Sequence, residues 1–326
     1  MIEAERLMRT RGLAKREVSR KSRLLHHMYT WVRIVGESTY VLHDYSALVA
    51  KLRPSAASGK AKQPIYAPAG PNVRLDDFLR FQRHKSDYQQ DTSDCEPQES
   101  GLTDFHLENA SENPDTLYGL MYGVDEGWLR LLSKTTRLAN HMDAIRSNGD
   151  MLSGEPLSEA LTRRASDLED KICSFASTQL AITTDVVPNQ HMHRALNSAL
   201  VIFYYRRIKD VNKFILQSHV ADVVGALSDF NQHLEERQLD GPGCVWPAFI
   251  AACEATSALN RDRLLAWIDN AIGKTGFHCY AAARDIILQV WRYDEPQRGP
   301  KKGSNRSSKP SWVDISRENR TWLIAC

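Results

Sequence analysis

The sequence predicts an all-α protein, built as an antiparallel array of helices. Three observations lead there. Apolar residues recur at three- and four-residue spacing through most of 113–295. Helix punctuation (Asn-Pro, Trp-Pro and single glycines) falls where those stripes begin and end. No convincing run of alternating apolar and polar residues marks a strand, and no fixed repeat period appears.

The first predicted helix covers 2–33. Its apolar residues Leu7, Leu13, Leu24, Leu25, Met28 and Trp31 form a thin stripe, so it needs a partner surface. It has no evident cap, and the expectation is a chain that begins inside something longer. The segment 35–51 continues with Tyr40, Val41, Tyr45, Leu48 and Val49. Then Pro54, Pro64, Pro68 and Pro71, with Gly59 and Gly70, mark 53–72 as a linker. A short helix over 75–81 and a loose polar stretch over 82–100 follow. The expected organisation is an N-terminal helical segment (1–52), a partly disordered linker (53–112) and a principal domain (113–326).

In the principal domain, Asn113-Pro114 reads as an N-cap followed by proline at the first helical position. A break near Gly123 should let Asp125 cap a second helix carrying Trp128, Leu131, Leu132, Leu138, Met142 and Ile145. The next helix, 157–180, places Leu161, Leu168, Ile172 and Phe175 on one face. Pro188 separates it from the longest stretch, 191–237, where Leu196, Leu200, Phe203, Tyr204, Val211, Ile215, Val220, Val224 and Leu227 hold helical register and a break is expected near Gly225. The run Gly-Pro-Gly at 241–243 closes it. Three short helices follow. Trp246-Pro247 opens the first, with Phe249, Ile250 and Cys253 inward. Asn260 caps the second, which carries Leu264, Leu265 and Ile268 and ends at Gly273 and Gly276. The third spans 277–291.

Composition sets bounds on function. Of 326 residues, 42% are hydrophobic and 25% charged, so the core needs no covalent staples. A net charge of +2 names no partner, but its distribution is uneven: between Arg6 and Arg23 there are eight Lys/Arg against Glu17 alone. A second basic stretch holds Arg298, Lys301, Lys302, Arg306 and Lys309. None of the six cysteines stands two residues from another, which excludes the usual zinc-knuckle spacing and points to a reducing compartment. Neither a secretory signal nor an apolar run of membrane-spanning length is present, so a soluble intracellular chain with no membrane contact is expected.

Each chemistry-bearing motif has a plainer reading. His191 and His193 cannot share one helical face for a metal, and they read as a solvent-facing helix start. Gly273-Lys274-Thr275 lacks the first glycine of a phosphate loop, since Ile268 holds that position, and reads as a helix end. His278 and Cys279 diverge by about 100° on a helix. Asp76-Asp77 and Glu235-Glu236 read as solvated pairs, and Tyr204 as a buried stripe residue rather than a base-stacking platform. The basic run from Arg6 is the least bland signal, and it comes with no base-reading motif. The expectation is no catalytic residue and no metal site, and therefore a helical interaction or ligand-binding module.

The block 243–295 has a pattern of its own: Trp246-Pro247 opening a helix that ends in Cys253-Glu254, then Arg261, a glycine turn, and a helix ending in Val290-Trp291. It resembles the C-terminal region of the fungal-specific transcription factor domain. The stretch 117–140 resembles that family's Tyr-Gly segment and Leu-rich helix. YTWVRIVGESTYVLHDY (29–45) and SWVDISRENRTWLIAC (311–326) resemble the arginine-metabolism regulators.

The resemblance implies an α-helical regulatory domain lying C-terminal to a cysteine-rich zinc cluster that reads DNA. Such a cluster requires six closely spaced cysteines, and they are absent here, so zinc is expected only in a missing upstream cluster and no cofactor in this chain. It further implies a nuclear protein that responds to an effector or co-regulator and governs arginine or nitrogen metabolism, with co-regulators and a second copy of the chain as partners. DNA would be reached only through that missing cluster or a partner. Trp246, Pro247, Cys253, Glu254, Arg261 and Trp291 are expected to be architectural or to touch a ligand. Glu254, an acid on an apolar helix, is expected to pair with Arg261 or Arg284 or to meet a cationic ligand. The alternative is a stand-alone helical adaptor that does not bind DNA. An enzyme with a site assembled from distant residues is a third reading.

Overall fold

The computed structural model describes residues 2–11, 20–43, 118, 122, 124–147, 159–182, 188–239, 241, 243–294 and 310–324. The expected linker 53–112, the Asn113-Pro114 cap, Asp76-Asp77 and the basic loop 298–309 lie outside them. The elements among the described residues are helical throughout, as predicted: α1 (Ile2–Arg11), α2 (Arg20–Ser38), α3 (Glu126–Ser147), α4 (Glu159–Ile182), α5 (Pro188–Arg207), a 3-10 turn (Lys213–Leu216), α6 (Gln217–Glu236), α7 (Val245–Glu254), α8 (Ala258–Thr275), α9 (His278–Asp294) and α10 (Trp312–Glu318).

The centre of the array is α7. Every one of its ten residues is buried, as expected of a helix that is apolar on all sides. The α5–α6 pair, α8 and α9 pack around it, α2 lies on α3, and α10 on α9. Pro247 falls in the first turn of α7, where a missing N–H breaks no helical bond. A chain of rings carries the core across four helices. Trp31 on α2 stacks 6.1 Å from Trp128 on α3. Trp128 meets Trp246 edge-on at 5.5 Å, and Trp246 meets Phe203 on α5 at 5.7 Å. Such pairs add to stability beyond the area they bury.

Local chemistry explains most boundaries. Asp125 caps α3 as predicted, its Oδ1 accepting from Gly127 N at 2.6 Å. Pro188 opens α5 at the first helical position. Gly276 ends α8 in the left-handed conformation (φ +64°), its N–H bonded to Ile272 O.

Three predicted boundaries are corrected. α2 runs past Arg33 to Ser38. α8 is capped at Ser257, so Asn260 and Gly273 lie within the helix. The break in the long stretch falls at 208–216 and not at Gly225, which lies inside α6. There Asp210 adopts a positive φ of 49°, Asn212 caps the 3-10 turn by accepting from Phe214 N, and the Arg206 guanidinium donates to Val211 O at 2.6 Å. These bonds give the backbone groups of the turn partners outside a helical ladder.

Gly243 joins α6 to α7 at φ +71°, with its carbonyl accepting from Tyr280 OH at 2.8 Å. A Cβ there would overlap Met192 Cε and lie 3.0 Å from the Phe230 ring. The methionine tip can swing aside but the ring cannot. Gly243→Ala should therefore lose about 2–4 kcal/mol, combining left-handed strain with overpacking. A urea midpoint within error of wild type would contradict this.

Candidate functional site

Two charge knots are built on the buried carboxylates Glu254 and Asp143, and the larger one closes the C-terminal end of α7. Glu254 is buried at the last position of that helix. Its Oε2 lies 2.8 Å from Arg206 Nε on α5, so its partner is neither Arg261 nor Arg284. Arg284 pairs instead with Asp269 at 2.7 Å, on an exposed face between α8 and α9. Burial pushes the Glu254 carboxyl above its ordinary 4.5, and the Arg206 charge partly offsets that rise.

Arg261, in the first turn of α8, donates its Nε to Ala255 O at 2.8 Å and its Nη2 to Asp294 Oδ2 at 2.6 Å. Lys213 Nζ meets the same carboxylate at 2.5 and 2.6 Å. The Arg261 guanidinium lies 5.0 Å from the Trp291 ring centre, close enough for a cation–π contact. The Trp291 indole donates to Ala252 O at 2.8 Å. Gln217 completes the knot. Its Nε2 donates to Glu254 O and its Oε1 accepts from Thr256 N, so one amide holds both sides of the α7–α8 turn. Without such bonds the last carbonyls of α7 would be stranded away from water.

Cys253 is buried beside Glu254, and burial raises its thiol well above the ordinary value. It stays protonated and unreactive. Trp246, at the other end of α7, is fully buried and donates its indole N–H to Ser38 Oγ at 2.8 Å. Five of the six residues named from the sequence thus bear on α7 or on its C-terminal knot directly, and Pro247 starts the helix that carries them. Arg206, Lys213, Gln217 and Asp294 were missed. They lie between 33 and 81 positions from their partners, and no spacing rule reaches that far.

The smaller knot centres on Asp143 of α3. Arg207 Nη1 of α5 lies 3.1 Å from its Oδ2, Arg317 Nη2 of α10 lies 2.9 Å from the same oxygen, and Arg146 Nη1 lies 3.6 Å from Oδ1. Arg207 also sits over the Trp312 ring at 6.0 Å. Burial alone would raise the Asp143 carboxyl, but the guanidinium groups of Arg207 and Arg317 outweigh it and hold the group below its ordinary 3.8. A depressed folded value means that this contribution to stability is complete above the unfolded carboxyl value of about 3.9 and drains away as pH falls through the lower folded value. Asp143→Asn should therefore be the less acid-sensitive protein between about pH 5 and about pH 3. Equal loss of stability in the two over that window would argue against it.

The remaining motifs take structural places. Met192 is buried and His191 and His193 are half-buried, the His193 imidazole held below the usual value by burial; this corrects the solvent-facing expectation for the start of α5. Tyr204 is buried and donates to Ala165 O at 2.6 Å, while Tyr205 donates to Glu169 at 2.8 Å and is pushed up to about 12, mainly by burial. Gly273-Lys274-Thr275 forms the last turn of α8. The crevice between Asp125, Trp128, Phe175 and His193 is too narrow for a water molecule. Among the described residues no three His, Cys, Asp or Glu side chains gather as metal ligands, and no helix is long and apolar enough to cross a membrane.

An all-helical array and a Trp-Pro helix that ends in Cys-Glu are the pattern read from the sequence, and the structure places that helix at the centre of the array. The family model of the fungal specific transcription factor domain matches residues 1–325, and the chain belongs to that family. It is similar to a curated protein of Saccharomyces cerevisiae, "Arginine metabolism regulation protein II", with 21% identity over 189 residues, covering 54% of this chain and 21% of that protein. The match therefore spans about a fifth of that relative's length. No solved structure matches the chain.

Proposed function

We propose that this chain is the effector- or co-regulator-responsive domain of a fungal transcription factor that acts in the nucleus on arginine or nitrogen metabolism, and that it is not an enzyme. The observation that carries the reading is the family match over 1–325, joined to similarity with a protein named as an arginine-metabolism regulator. The chemistry of the two knots supports it. Their charges are spent on one another, on backbone carbonyls and on an indole face, and Cys253 is held as a thiol. These are groups that fix helices in place rather than groups poised for proton or acyl transfer. In this reading Trp246, Pro247, Cys253, Glu254, Arg261 and Trp291 are architectural. DNA is reached through another module or a partner protein, because no two of the six cysteines have the spacing of a zinc cluster.

The test is to fuse residues 1–326 to an unrelated DNA-binding domain and follow a reporter in yeast grown with and without arginine. A reporter level that depends on the fused chain and shifts with arginine is the expected result. A fusion that is stable, nuclear and inert with either nitrogen source would refute the regulatory reading. Regulation that ignores arginine but follows another nitrogen source would refute only its arginine part.

A further inference from the structure

α2 ends without the usual provisions. No basic residue stands in its last turn, and a helix terminus leaves its last carbonyls in need of donors. Ser38 Oγ satisfies Val35 O from within, at 2.6 Å. Thr39 N and Tyr40 N reach Gly36 O and Glu37 O within single turns, and further donors to the helix end and to the segment after it come from the far end of the chain. The Trp322 indole donates to Gly36 O at 2.9 Å, and Arg317 Nε donates to Val41 O at 3.2 Å. The bond returns in the other direction, with Thr39 Oγ1 donating to Leu323 O. The Tyr40 and Trp322 rings meet edge-on at 5.0 Å. Residues 36–41 and 317–323 thus cap one another across more than 270 positions of sequence.

The same C-terminal segment is pinned to the rest of the fold at separate points. Ser311 and Asp314 form a reciprocal capping box that starts α10. Trp312 packs edge-on against Phe249 of α7 at 5.5 Å. Arg317 reaches Asp143 of α3 with Nη2 while its Nε holds Val41 O, so one guanidinium joins α3, the exit of α2 and α10.

We infer that residues 310–324 are a clasp: they complete the C-terminal cap of α2, seat that helix on α3, and open and close with residues 34–43 as one cooperative unit. That unit opens separately from α5 to α9. The unit meets α7 through the Trp246–Ser38 bond and the Trp312–Phe249 contact, but its backbone is held less firmly than those helices: the amides at the α2 exit have only single-turn bonds, Thr39 N to Gly36 O at 3.3 Å and Tyr40 N to Glu37 O at 3.1 Å. Local opening of this kind is the general behaviour of segments with few ladder bonds. Through the clasp, the state of the C-terminal segment sets the position of the helix whose first turn carries Arg20, Lys21 and Arg23, the end of the basic run.

Hydrogen exchange on the full chain tests the inference. Arg317→Ala removes the three-way bridge from a side chain that is 35% exposed, and Trp322→Phe removes only the bond to Gly36 while keeping a ring against Tyr40. Either variant should speed exchange about 10-fold or more in 34–43 and in 310–324 together, the scale of one lost hydrogen bond. Peptides spanning 192–207 and 245–254 should stay within about twofold of wild type. Arg284→Ala, which breaks the exposed pair with Asp269, should leave both regions alone. Acceleration confined to 310–324, equal acceleration in every helix, or none in either region would each overturn the proposal.

Discussion

Replacing Arg206 with methionine should cost about 3 kcal/mol, because it leaves the Glu254 carboxylate buried without its ion-pair partner. The value sits at the low end of the range for a broken buried pair, since 22% of the Arg206 side chain still meets water. The effect should also depend on pH. Burial already holds the Glu254 carboxyl above its ordinary value, and removing Arg206 raises it further. A raised folded value means that the folded state binds the extra proton, so the variant should regain stability as pH falls towards the unfolded value of about 4.3. The double variant Arg206→Met with Glu254→Gln should recover most of the loss, because an amide costs less to bury than a lone charge. Urea melts of the two singles and the double decide the matter. Simple additivity, with no recovery in the double, would mean that the two side chains do not act as a pair.

Trp246→Ala should lose about 4 kcal/mol and broaden the unfolding transition. The indole is fully buried, donates to Ser38, and stands between Trp128 and Phe203. Its removal opens a cavity at the junction of four helices. Trp246→Phe should keep roughly half of the stability, losing the bond to Ser38 and part of the volume. A near-ultraviolet circular dichroism signal unchanged in Trp246→Ala would show that the ring chain does not order the core as described.

Much of this architecture was legible because its signals are local. The Trp-Pro start, the Asp125 cap and the Gly276 stop each act within one turn of chain, and each appears where sequence rules put it. The misplaced break has a physical cause too. Ile215 was counted in the apolar stripe because it falls in register, yet it is 71% exposed, and its neighbour Phe214 is 68% exposed. Two large apolar residues on the outside of a turn imitate a continuing helix, and the polar residues Lys209, Asp210, Asn212 and Lys213 around Val211 (Asn212 a ready cap) are the signal that outweighs them. The partners of Glu254 could not be read at all. An acid on an apolar helix announces that some cation must come to it, but Arg206 arrives from 48 positions away, by packing. The family resemblance did point to the right neighbourhood, and the stretches 29–45 and 311–326 that suggested the arginine regulators are the two that cap each other in the fold.

The burial of α7 on every side has a consequence for how the protein is made. Two of its covering partners, α5 and α6, precede it on the chain, but α8 and α9 follow it. As synthesis proceeds from the N-terminus, α7 leaves the ribosome with half of its cover not yet translated. For the time needed to make roughly forty more residues, at about 5–20 residues per second, an apolar segment without a single charge before Glu254 stands open on one side. A nascent chain in that condition is a natural client for chaperones that hold apolar peptides. Slow translation just after Glu254 would lengthen the exposure, and so the codons of α8 and α9 bear on the yield of folded protein as well as the residues of α7 do.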